Sequence, residues 1–166
     1  MNKNLLITLV IIVGLFAGLI LIVKPTPNTE NGNSTAKADI GLTASEKNYD
    51  FGTISMAEGT VTHKFTVKNT SESTVQLTKM YTSCMCTTAT LIKGENKFGP
   101  MGMPGHGGSV PSFRSELQPG EEAEVEIAFD PTAHGPAGVG RIDRSIFLES
   151  NGQTALEYQF VAFVKP

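Results

Sequence analysis

Gln118-Pro119-Gly120-Glu121-Glu122-Ala123-Glu124-Val125-Glu126-Ile127-Ala128-Phe129 decides the fold class. Ala123, Val125, Ile127 and Phe129 alternate with Glu122, Glu124 and Glu126, a period of two that gives a strand one buried and one wet face. Pro119-Gly120 supplies the turn that leads into it. The same alternation recurs in Val61, His63, Phe65 and Val67 against Thr62, Lys64, Thr66 and Lys68, with a polar turn at residues 69–73. Further strands are expected from Val75 to Met80 and over residues 87–92, 142–149 and 156–164. Asn151-Gly152 between the last two suits the positive φ angles of a tight hairpin. With 17 glycines, 9 prolines and no tryptophan, the chain reads as all-β: an immunoglobulin-like β-sandwich of about seven strands.

Working outward, residues 5–23 carry no charge and, at ~1.5 Å per residue, are long enough to cross a ~30 Å hydrocarbon layer. A secretory signal is the rival reading, but its apolar region is usually shorter and no small-x-small cleavage pattern follows here. The expected organisation is an N-terminal transmembrane anchor at 1–24, a flexible linker at 25–43 and the β-domain at 44–166. The linker is almost free of large apolar groups and cannot offset its ordering entropy by burial. This arrangement makes the protein single-pass, with its C-terminal domain extracytoplasmic. The balance of 13 basic against 16 acidic side chains, with no long run of either sign, leaves no electrostatic footprint for nucleic acid.

The chemistry is concentrated in Cys84-Met85-Cys86, at a strand end or turn, and in the later loop Met101-Gly102-Met103-Pro104-Gly105-His106. Thiolate and thioether groups select Cu(I), and imidazole is compatible with it. The expected metal ligands are therefore Cys84, Cys86, His106, Met101 and Met103, provided the loop folds back over the cysteines. Zinc comes second, since it would want four Cys or His ligands from the two cysteines and His63, His106 and His134. Two other readings of the cysteines stay open: a strained disulfide of structural or redox use, favoured outside the cytoplasm, and free buried thiols. Met85 also reads as a core residue, and Met101 and Met103 as apolar groups of a flexible loop. His63 continues the inner face of a strand, and His134, in Pro131-Thr132-Ala133-His134-Gly135-Pro136, reads as a turn residue. Glu121, Glu122, Glu124 and Glu126 read as a solvated face, as do Asp143 and Arg144.

The series Tyr49-Asp50-Phe51-Gly52-Thr53-Ile54, Val61 to Thr70, Thr82-Ser83-Cys84-Met85-Cys86-Thr87, Leu117 to Glu121 and Ser150-Asn151 resembles the bacterial domain-of-unknown-function family 1573. That family is similar to the Hydin-like immunoglobulin sandwiches, and the resemblance runs over about residues 44–164. It implies a fold and assigns no activity. Family members usually show Ser-Cys-Gly-Cys-Thr, so Met85 replaces a glycine, and the Met-Gly-Met-Pro-Gly-His loop is an insertion. Both departures add sulfur or imidazole near the cysteines.

No Gly-x-Ser-x-Gly elbow, His-Glu-x-x-His, phosphate loop or dinucleotide fingerprint is present, so the chain reads as a non-enzyme. Two functions are expected. One is extracytoplasmic Cu(I) or soft-metal binding. The other is a structural or adaptor module that binds another envelope protein and uses the cysteines only to staple a turn.

Overall fold

The computed structural model describes residues 40–105 and 110–166. Ten strands follow in order: β1 Leu42–Ala44, β2 Asn48–Ser55, β3 Val61–Asn69, β4 Val75–Thr82, β5 Thr87–Lys93, β6 Asn96–Met101, β7 Ser115–Leu117, β8 Glu122–Phe129, β9 Gly140–Ser150 and β10 Gln153–Lys165. They form two five-stranded sheets, β1-β3-β8-β5-β6 and β2-β10-β9-β4-β7. The all-β sandwich is as expected, with ten strands where about seven were read. The additional strands lie at the sheet margins, where β1 and β7 are only 3 residues long and β6, Asn-Lys-Phe-Gly-Pro-Met, lacks the alternation that marks a half-buried strand. Leu42 is buried and pairs with Asn69, so pairing begins two positions before the expected domain start at Ala44. The expected anchor, and the linker as far as residue 39, lie outside the described residues. Among the described residues no helix is long and apolar enough to cross a membrane.

The alternation read in β8 is realised. Val125 and Ile127 are fully buried and Phe129 nearly so, while Glu122 and Glu124 meet Lys68 and Lys64 of β3 at 3.0 and 2.7 Å on the solvent face. Exposed pairs of this kind contribute little to stability. The interior between the sheets holds Phe65, Leu77, Met80, Leu91, Tyr158 and Phe160, each at most 1 % exposed. Asn151 and Gly152 have φ of 50° and 77°, the backbone that the tight β9–β10 turn demands.

Two sheet crossings position the site. β4 lies in one sheet and β5 in the other, and the same is true of β8 and β9. Because β5 pairs with β8 through Thr87 and Phe129, and β4 with β9 through Thr82 and Ile146, both crossings emerge side by side at one end of the sandwich.

A buried polar side chain fixes another corner. Asn69, fully buried, donates from Nδ2 to the carbonyls of Leu117 and Ser73, both at 2.8 Å, and accepts through Oδ1 from the Ser71 N–H and hydroxyl. Removing the amide takes the side-chain donor from the buried Leu117 carbonyl and the acceptor from the Ser71 N–H, while the Ser73 carbonyl keeps the Ser71 hydroxyl at 2.9 Å. Asn69→Ala is expected to lower the unfolding free energy by about 2–3 kcal/mol, measured by chemical denaturation; a loss within the error of the wild-type value would show that these bonds add nothing net.

Candidate functional site

The β4–β5 crossing is a tight turn over Cys84-Met85-Cys86-Thr87. The Thr87 N–H donates to the Cys84 carbonyl at 3.2 Å, and the Cys86 N–H donates to Cys84 Sγ at 3.4 Å, so the thiol of Cys84 acts as a local backbone acceptor, as an Asx side chain does in a turn. The buried Thr82 hydroxyl lies 2.9 Å from the carbonyls of both Cys84 and Thr87. On one side the Asp130 N–H donates to the Cys86 carbonyl at 2.9 Å; on the other the Ser83 N–H donates to the Ser145 carbonyl, and the Ser145 N–H to Ser83 Oγ, each at 2.9 Å. Clamped in this way, the turn holds both cysteines inward at 8 % and 3 % exposure and turns Met85 outward at 49 %. The reading of Met85 as a core residue is therefore overturned by its place in the turn. Both thiols are free, and hydrogen bonds alone hold the turn closed.

Two further side chains reach the sulfurs. His134, exposed and preceding the short 3-10 turn Gly135–Gly138 of the β8–β9 crossing, brings Nε2 to 3.1 Å from Cys84 Sγ. The donor atoms of Cys84, Cys86 and His134 all lie within 4.8 Å of one another. Arg144 of β9 donates from Nε to Cys86 Sγ at 3.4 Å. Burial pushes the Cys84 thiol up, but hydrogen bonds from Cys86 and His134 and the charge of Arg144 outweigh it and bring the pKa down to about 7. Burial pushes the Cys86 thiol up, reinforced by its bond to Cys84 and only partly offset by Arg144 and Thr87. The pair is thus split into one easily ionised thiol and one reluctant thiol, the environment in which a cysteine becomes a nucleophile or a metal ligand.

The structure brings together only part of the expected ligand set. Cys84 and Cys86 are adjacent as read. Met101 ends β6, pairs with Ala89 and is buried in the core at 3 % exposure, which gives it a packing role. Met103 is half-buried in the loop that follows, and His106 lies outside the described residues. The start of that loop is held near the cysteine turn, since the Thr82 N–H donates to the Gly102 carbonyl at 3.2 Å. His134 is a turn residue, as read, and is also the imidazole beside Cys84. The solvated reading of Arg144 is corrected too, because it shares the inward register of β9 with buried Ile142, Ile146 and Leu148. The available sequence signal was antiparallel pairing: if the strand ending at Phe129 runs beside the strand starting at Thr87, residues just past 129 arrive beside residues just before 87. His63, stacked on Tyr49 with ring centres 3.5 Å apart and 3.2 Å from Glu46, is a satisfied structural histidine.

Residues 42–102, from β1 to just past β6, match the family model described as protein of unknown function (DUF1573). The family resemblance is shown over that span, which includes the cysteine turn; the match ends before the Leu117–Glu121 and Ser150-Asn151 motifs and before His134 and Arg144. No curated protein matches the sequence. Among solved structures, a protein of unknown function from Porphyromonas gingivalis W83 is similar at TM-score 0.51 and 17 % identity, over 79 % of this chain and 51 % of that one. The secreted serine protease VesC from Vibrio cholerae gives 0.48 and 15 %, over 78 % of this chain and 24 % of that one. A PapD-like domain of human CEP192 gives 0.45 and 12 %, over 76 % and 87 %. The chain therefore spans about half of the first protein and about a quarter of the second, and the P. gingivalis likeness is one of fold alone.

The split between the thiols is directly measurable. Ultraviolet thiolate absorbance is expected to show one group titrating at about 7 and a second well above it, with His134→Ala moving the lower step upward. Two thiols titrating together in the usual range near 8.5 would contradict the geometry.

Proposed function

We propose that this domain binds one thiophilic metal ion through Cys84, Cys86 and His134, with Cu(I) the best match, and that it serves in metal handling or delivery as a non-enzymatic module. The observation that carries this reading is the convergence of two sulfurs and one imidazole nitrogen within 4.8 Å of one another. Metal–sulfur bonds of about 2.3 Å and metal–nitrogen bonds of about 2.0 Å hold donors roughly 3.5–4 Å apart, so small side-chain adjustments would close the set around one ion. Two soft donors and one borderline donor suit Cu(I), whereas structural zinc usually takes four protein ligands. His134 takes the place of the loop donors His106, Met101 and Met103 in this ligand set.

The surroundings support the same use. The turn is fixed by its own backbone bonds, so the two thiols are already oriented, and pre-organised ligands lose less entropy on binding. Met85, between the two cysteines in sequence and 49 % exposed, offers a thioether to an arriving ion or a partner's ligand. In this reading the apolar run at 5–23 tethers the domain outside the cytoplasm and an envelope protein exchanges the ion with it.

Anaerobic Cu(I) titration of the full chain against a competing chelator is expected to give one equivalent. That equivalent should be lost in Cys84→Ser and Cys86→Ser and weakened at least about tenfold in His134→Ala, in keeping with the loss of one first-row metal ligand. His63→Ala should bind as the wild type does. Binding that survives Cys84→Ser would overturn the assignment.

A further inference from the structure

We infer that Arg144 sets the charge of the ion this site accepts, favouring a monovalent soft cation of the Cu(I) class over a divalent one such as zinc. The inference rests on the reading of Cys84, Cys86 and His134 as ligands.

The first observation is placement. Along β9 the inward positions are Ile142, Arg144, Ile146, Leu148 and Ser150, and all but Arg144 are buried. A guanidinium in a row of core residues is uncommon and calls for a counter-charge. Among the described residues no carboxylate lies within ion-pair distance of it; its neighbour Asp143 faces outward, towards Arg141 at 3.9 Å. Arg144 places Nη1 on the Asp143 carbonyl at 2.7 Å and Nε on Cys86 Sγ at 3.4 Å. The sulfur pair is thus the anionic partner within reach.

The second is charge balance. Two ligating thiolates carry two negative charges, a neutral imidazole none and Arg144 one positive charge. A monovalent ion leaves the half-buried group neutral, whereas a divalent ion neutralises the thiolates by itself and leaves the guanidinium without a counter-charge. At an effective dielectric of about 20 and a separation of about 5 Å, one extra unit charge is worth roughly two hundredfold in affinity, and solvent on the outer side of a half-exposed arginine reduces that to about tenfold. The arginine also favours ionisation of the thiols. That effect is common to both ions, since each displaces the same two protons, and it cancels in the ratio of their affinities.

The test is that ratio. Cu(I) and Zn(II) affinities are measured anaerobically by chelator competition on the full chain, for the wild type, Arg144→Gln and Arg144→Lys. Arg144→Leu, an apolar side chain suited to the inward register, substitutes for the glutamine variant if that variant does not fold. The expected result is a shift of about tenfold towards zinc when the charge is removed and little change when lysine retains it. Equal movement of both affinities, or none, in the neutral variant overturns the role of Arg144 while leaving the ligand set intact. A wild-type chain that binds neither ion removes the ligand set and this inference together.

Discussion

Antiparallel pairing of β8 with β5, in register at Phe129 and Thr87, is the constraint on which the rest of the site depends. It brings the end of one sheet crossing against the start of another. The matching pair, β4 with β9 at Thr82 and Ile146, closes the arrangement from the opposite sheet. Without both registers, the cysteine turn and the His134 segment would be two unrelated loops. A slip of one residue in either strand would turn its inward side chains outward, carrying Arg144 away from the sulfurs.

The turn is held by local and tertiary bonds and polarised by tertiary ones. Thr82, Thr87 and the Cys84 sulfur satisfy its backbone groups from within a few residues, and Asp130 and Ser145 clamp it from either side, so it needs no disulfide to hold its shape. Its chemistry comes from elsewhere in the chain: imidazole from the β8–β9 crossing and guanidinium from β9. The split between an easily ionised Cys84 and a reluctant Cys86 follows from that asymmetry, because His134 meets only the first sulfur and burial weighs more heavily on the second. Two thiols alike in sequence thereby become chemically different.

The outward-facing carboxylates show where charge has no such part. Glu122 and Glu124 lie close together, yet each meets a lysine of β3 on a wet sheet face, where screening leaves little interaction energy. Asn69 is the opposite case. It is a single uncharged amide whose full burial makes each of its hydrogen bonds consequential. Burial is what separates Asn69 from these carboxylates.

The sequence by itself determined the all-β class, the central strands, the Asn151-Gly152 hairpin and the pairing of Cys84 with Cys86, because each is encoded within a few neighbouring residues by alternation, turn chemistry or adjacency. Marginal strands such as β6 and β7 were not legible, since an edge strand is defined by the partner it hydrogen-bonds and carries little pattern of its own. The loop methionines and His106 drew attention through their composition, while His134, 48 residues from Cys86, read as a turn residue named only among the zinc candidates, and Arg144, 58 residues away, read as part of a solvated face. Only the tertiary structure decided that these two complete the site. Which side chains meet across a sandwich depends on strand order and register, and those are set by the cooperative burial of the whole core rather than by any local stretch of the chain.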